Sequence, residues 1–389
     1  MIINRSFAER EGGTKMNIRI IPTGKLIKEY LKANQLTQRD LAQASGHSAA
    51  HVNLALKGKK KIPEWLAKAL TQLMPETKKD FWLAYSERYA QQCKEDERQL
   101  RRLGYPQCDK AHRLSKILDA LGIHPIDAFE VFHENLGIEN FEQLPEAMKH
   151  QTQVHAAQYS RDKSYLKTER GNSLATSAWM MLAADSLISE TQQADRRYVG
   201  PERLKALMEE NKGLFNVDNA LMLTANIEAF AEKAGIYVGF TASAPSSGIK
   251  GLTFRQGDAI YVILTNRYRS IEFTIFVFVH ELCHLLLEDA EQSETIEHEE
   301  AVDQMAKDYF ISPKEYQELA ANPTLKNLYV KARKNNASPG VLLTLLQHDC
   351  VLDYSAFRQL LNRFDLTEDF LSEEEEIRAY LEHAVVHSA

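Results

Sequence analysis

Residues 271 to 287 read Ile-Glu-Phe-Thr-Ile-Phe-Val-Phe-Val-His-Glu-Leu-Cys-His-Leu-Leu-Leu, an apolar run broken by Glu272, His280, Glu281 and His284. The run is too long for one strand, and a segment apolar on every side is what a helix buried in a domain core requires. Thr274 to Val279 is β-branched and aromatic, so strand propensity competes there. Ser270 is placed to cap a helix and Glu272 suits its first turn. Titratable groups are costly in an apolar core unless they are paired or hold a metal. On a helix, positions four apart share a face, so His280 and His284 can reach one ion. Glu281 stands about 100° round the helix, close enough to act on a bound water without being a ligand. Zinc (Zn2+) suits this geometry and lowers the pKa of its water to about 7. The pattern predicts a zinc-dependent hydrolase, first of all a peptidase, with Glu281 as catalytic base.

A catalytic zinc needs a third protein ligand and one open position. Glu299 and Asp303 lie downstream, four apart, and share a face if that segment is helical. Glu299 is the expected third ligand, with His298 and Glu300 as alternatives. Asp303 is expected to accept the N–H of a ligand histidine. The spacing resembles that of the gluzincin peptidases, in which a Glu-x-x-x-Asp helix follows the H-E-x-x-H helix. Tyr309 and His298 are the candidates for stabilising an oxyanion.

The flanking residues extend the resemblance. Gly235 to Phe240, Ile249 to Phe254 and Ala259 to Leu264 read as three short strands ahead of the metal helix. With Phe276 to Leu287 and the stretch Glu299 to Pro313, they resemble the ImmA/IrrE metallopeptidase family. Ala178-Trp-Met-Met and Ala337 to Gln347 are similar to that family's upstream and C-terminal helical segments. The likeness spans about 170 to 362 and is specific over 276 to 313. Cys283 stands where the family usually has glycine, Val302 replaces an alanine and Met305 a phenylalanine; none of these removes a ligand. The resemblance implies a narrow substrate, a transcriptional repressor or antitoxin, in stress response, prophage control or antiphage defence. A peptide is expected to add to the sheet edge along 249–254 or 259–264.

A second module lies near the N-terminus. Leu36 to Gly58 has the spacing of a helix-turn-helix, with Leu41, Ala42, Val52 and Leu56 as apolar contacts, Gly46 at the turn and Gly58 at the end. The start of its second helix would enter the major groove of DNA. Gln38, Ser48, His51 and Asn53 are the expected polar contacts, and Lys57, Lys59, Lys60 and Lys61 the phosphate contacts. Residues 17–75 hold ten Lys/Arg against three Asp/Glu, on a chain whose net charge is −7. That contrast marks a nucleic-acid surface on an otherwise acidic protein. Pro22 to Leu31 and Phe81 to Tyr89 are similar to the HigA-type antitoxin repressors of the XRE family. Such proteins commonly pair to match two half-sites, so a homodimer is the expectation.

The 389 residues, 44% apolar, are enough for two or three domains. Four cysteines without C-x-x-C spacing suit a reducing cytosol, and no apolar run reaches the roughly 18 residues of a membrane span. A cytoplasmic α+β protein, mostly helical, is expected. Its parts are a loose extension over 1–16, the helix-turn-helix over 17–75, a helical connecting region over 76–170, the metallopeptidase domain over 171–362 and an acidic tail over 363–389. Met16 is an alternative start. The alternative function is a DNA-binding repressor or antitoxin whose metal domain is a sensor or structural module.

Overall fold

The computed structural model describes residues 20–105, 111–148, 173–191, 195–243, 249–287 and 296–364. The extension over 1–16 and the tail beyond Phe364 lie outside these residues. The described chain is mostly helical with one small mixed sheet, an α+β arrangement. Among the described residues no helix is long and apolar enough to cross a membrane.

The chain forms two compact units. One holds residues 20–105 with 139–142, and the other the remaining described residues. The stretch 76–170, read above as a connecting region, is therefore shared between them.

The first unit contains α1 (Thr23–Ala33), α2 (Gln38–Ser45), α3 (Ala49–Lys57), α4 (Glu64–Leu73) and α5 (Lys79–Arg102). Local chemistry sets the boundaries of the central pair. Asp40 N–H donates to Thr37 Oγ1 while Thr37 N–H donates to Asp40 Oδ2, a reciprocal cap on α2. Gly46 ends α2 in the left-handed region, at φ 68°. Ser48 then caps α3 by accepting the His51 N–H. Ile27, Leu41, Val52, Leu56, Leu66, Leu70 and Trp82 close the core, and the Trp82 indole donates to Thr77 at 2.9 Å.

The second unit contains α6 (Ala111–Leu121), α7 (Pro125–Leu136), α8 (Ser173–Thr191), α9 (Pro201–Glu210) and α10 (Ala220–Ala234). Next come β1 (Tyr237–Thr241), β2 (Gly251–Gln256) and β3 (Ala259–Thr265), then α11 (Ile271–Leu286) and α12 (Ile296–Phe310). Helices α13 (Pro313–Ala321), α14 (Leu325–Lys334) and α15 (Pro339–His348) follow. The three expected strands form, in the order β1-β3-β2. β3 is central, parallel to β1 and antiparallel to β2, with Tyr237 opposite Tyr261 and Thr253 opposite Val262. β2 is thus an edge among the described residues, whereas β3 has both sides paired. Of the two segments expected to guide a peptide, only 249–254 keeps an edge to offer.

Strand propensity does not prevail over 274–279, because α11 is enclosed by sheet and helices. From Ile271 to Leu285 every residue but His280 is buried. Ser270 caps it through the Phe273 N–H, and Glu272 accepts from Ser270 Oγ and from the Asn362 backbone and side chain. The cap and first turn are as the sequence led us to expect.

Candidate metal centre

Helix α11 carries His280 and His284 one turn apart, facing α12, which carries Glu299 and Asp303 one turn apart. The two Nε2 atoms lie 3.2 Å from each other. Glu299 Oε2 is 3.5 Å from His280 Nε2, and Glu299 Oε1 is 3.5 Å from His284 Nε2. One donor atom from each of the three residues falls within 4.8 Å of the others. His284 and Glu299 are buried, while the His280 side chain keeps 14% exposure, so the cluster opens to solvent on that side.

The donor set fits a divalent ion. Two imidazole nitrogens so close need something shared between them, and Glu299 Oε1 is buried without a hydrogen bond. A bound cation would satisfy all three groups. Two nitrogens and one carboxylate suit zinc and several other transition metals, so the set alone does not choose among them. Of the alternative ligands, Glu300 is exposed, and the side chain of His298 lies outside the described residues.

Asp303 Oδ1 is 3.1 Å from His280 Nδ1, where it fixes the ring orientation and directs Nε2 at the cluster. Burial opposes charge on His280, but hydrogen bonds to Asp303 and Glu299 outweigh it and raise its pKa, so a cation bound at Nε2 would have to displace a proton. Asp303→Ala is expected to weaken metal affinity about 10- to 100-fold while leaving the stoichiometry at saturation unchanged. Competition with a chromogenic chelator measures this; an unchanged affinity contradicts the assignment.

Glu281 is not one of the three converging groups, but it is electrostatically coupled to His280 and Glu299 and its carboxylate is held by β2. Its Oε2 accepts a 2.6 Å hydrogen bond from Thr253 Oγ1. Its Oε1 packs on Gly251, where any Cβ would overlap the carboxylate. Burial pushes the Glu281 pKa up to about 7, against the lowering effect of His280 and Thr253. A carboxylate near neutrality is suited to taking up and returning a proton. Sequence reasoning missed Gly251 and Thr253, which stand far from the motif in the chain. Nothing in the sequence alone pairs the strand that holds them with the metal helix.

Cys283 lies on the opposite side of α11. It is fully buried and faces a hollow of about 320 Å³ between α9, α11 and α12, together with Met208, Leu286, Met305 and Tyr309. Burial, and then the Glu281 charge, push its thiol up to about 12. It is a packing residue, as its place in the apolar core indicates. Against a thiol of ordinary pKa its thiolate fraction at pH 8 is about 10³-fold lower. Exposed Cys350 should therefore take a soluble thiol reagent first, and Cys283 only on unfolding. Time-resolved labelling read by peptide mass spectrometry checks this, and equal rates would contradict the packing role. Tyr309 is not brought to the centre: its hydroxyl donates to the Met208 carbonyl at 3.0 Å. It is withdrawn as an oxyanion candidate.

The helix-turn-helix unit places the other expected contacts. Ser48 is engaged as the α3 cap, and His51 is exposed on that helix. Asn53 and Gln38 are half-buried. Lys57, Lys59, Lys60 and Lys61 are all exposed, and Lys61 pairs with Glu87 at 2.9 Å. Two features had not been foreseen. His47 stacks on Trp65 at 3.9 Å with His51 edge-on beside both rings, and Leu54 on α3 is 72% exposed.

Comparison with known protein families, with curated proteins and with solved structures finds no match to this chain.

Proposed function

We propose that this protein is a zinc-dependent regulatory endopeptidase joined to a DNA-binding helix-turn-helix unit. The observation that carries the reading is the convergence of His280, His284 and Glu299, with the Glu281 carboxylate held beside them by β2. A purely structural metal site has no need of a poised carboxylate beside its ligands. The motifs over 276–313, which in sequence resemble those of the ImmA/IrrE metallopeptidases, point the same way.

His280, His284 and Glu299 would hold the ion, which when bound polarises a scissile carbonyl and acidifies water. Asp303 keeps the His280 ring in its ligating orientation. Glu281 takes the proton of the attacking water and returns it to the leaving amine. Thr253 and Gly251 fix where that carboxylate points. Among the described residues β2 is an edge of the sheet, along which an extended peptide would run past Glu281.

The basic N-terminal unit narrows the substrate. A peptidase carrying a DNA-binding module acts on proteins found at DNA, and a transcriptional repressor or an antitoxin is the substrate class proposed. The exposed lysines after α3 would neutralise phosphates, and α3 would enter the major groove. The test is to incubate zinc-loaded protein with repressors or antitoxins encoded beside its gene. A cut that requires Glu281 supports the proposal. Unchanged regulation by the Glu281→Gln protein would favour a repressor whose metal domain only senses or stabilises.

A further inference from the structure

Resting on the reading of the N-terminal unit as DNA-binding, we propose that Leu54 on α3 recognises the 5-methyl group of a pyrimidine in the major groove. Thymine presents that group there, as does a cytosine methylated at C5.

Leu54 is 72% exposed, more than any other large apolar side chain among the described residues. Its place on the helix gives that exposure a direction. Val52 and Leu56 form the buried face of α3. At about 100° per residue, Leu54 stands about 180° from the middle of that face. It is therefore at the centre of the outward face, with Ala50 and Lys57 to one side and His51 to the other, all exposed. The helix is held from behind. α1 closes on it at Gly24, where a Cβ would overlap the Leu56 carbonyl.

The polar residues expected to read bases are mostly engaged elsewhere. Ser48 Oγ accepts the His51 N–H as the α3 cap. The His51 ring lies edge-on to Trp65 at 5.4 Å, on the indole that His47 stacks against. Asn53 is half-buried. What α3 leaves facing a groove is thus apolar at its centre. Of the groups that base pairs present in the major groove, the 5-methyl is the apolar one, and an apolar side chain is its match.

Charge and size favour DNA over a protein partner. α3 carries no acidic residue. Lys57, Lys59 and Lys60 are exposed and form no ion pair among the described residues. Phosphates flanking a groove match these lysines, whereas two copies meeting through α3 would bring them together. One leucine beside Ala50 also offers far less than the roughly 800 Å² per partner of a stable protein interface.

The test uses the full-length protein and duplexes selected by it from a random library. Each thymine of the selected site is replaced by uracil, which lacks only the methyl group. Cytosine and 5-methylcytosine, each paired with guanine, are compared at the same positions to tell the two sources apart. Fluorescence anisotropy reads the affinities. Uracil should weaken binding about three- to fivefold at the thymine that meets Leu54, the effect of one buried methyl group. If methylated cytosine is the source, the gain from cytosine to 5-methylcytosine should be of that size. Either difference should vanish in Leu54→Ala and persist in Leu54→Met, with circular dichroism establishing that both are folded. Lys57→Ala should instead weaken all duplexes alike. DNA binding with no methyl effect in either pair overturns the proposal and leaves the DNA-binding reading standing, as does a methyl effect that Leu54→Ala retains. Failure to select any duplex at low salt overturns both. A Leu54→Ala protein with altered oligomeric mass and unaltered discrimination assigns Leu54 to a protein interface and overturns the proposal. None of these outcomes touches the peptidase reading, which keeps its own cleavage test.

Discussion

Replacing His284 with alanine should leave the purified protein without stoichiometric zinc. The loss removes one of three converging donors and leaves Glu299 Oε1 buried with no partner, as it already lacks a hydrogen bond within the protein. A lone ligand substitution should cost more than the about 10- to 100-fold typical of a supporting residue. Mass spectrometric metal analysis after dialysis reads the outcome directly. Thermal unfolding adds a second check. Zinc should raise the wild-type Tm, because a ligand bound only by the folded state stabilises it, and should leave the His284→Ala Tm unmoved. Equal zinc content in the two proteins would place the ion elsewhere.

Replacing Glu281 with glutamine should have the opposite profile. Metal content should stay at the wild-type level, since Glu281 is held by Thr253 and Gly251 and is not one of the three donors. Cleavage should fall about 10²- to 10⁴-fold, the range for loss of a positioned general base. Glutamine keeps the shape and can still accept from Thr253 but cannot take the proton. The pairing of intact metal with lost turnover separates catalysis from folding, and from any role of the N-terminal unit. A Glu281→Gln protein that cuts as fast as wild type would remove Glu281 from the chemistry.

The metal cluster was legible because helical spacing is strict. His280 and His284 had to share a face once the segment was helical, as did Glu299 and Asp303. The same spacing accounts for Cys283. Measured from the middle of the ligand face, Glu281 falls about 80° to one side and Cys283 about 80° to the other. One is therefore turned to β2 and the other to α9. The misplaced residue was Tyr309, which stands ten residues, about 15 Å, along α12 from Glu299. Its hydroxyl serves the Met208 carbonyl instead. Thr253 and Gly251 could not be read ahead of the fold, because strand pairing alone brings β2 against Glu281. The choice between the two candidate peptide guides had the same origin. Both segments look like strands, and only the order β1-β3-β2 shows which one is an edge. In the other unit the caps at Thr37 and Ser48 follow from local sequence, whereas Trp65 meets His47 and His51 only by tertiary packing.

The most direct test of the central claim is a comparison of newly formed protein termini in cells carrying wild type or Glu281→Gln, under stress and under phage challenge. A zinc-dependent regulatory peptidase should yield fragments of one or a few proteins, a repressor or antitoxin among them, only with the wild type. The absence of any wild-type-specific fragment under both conditions would contradict it.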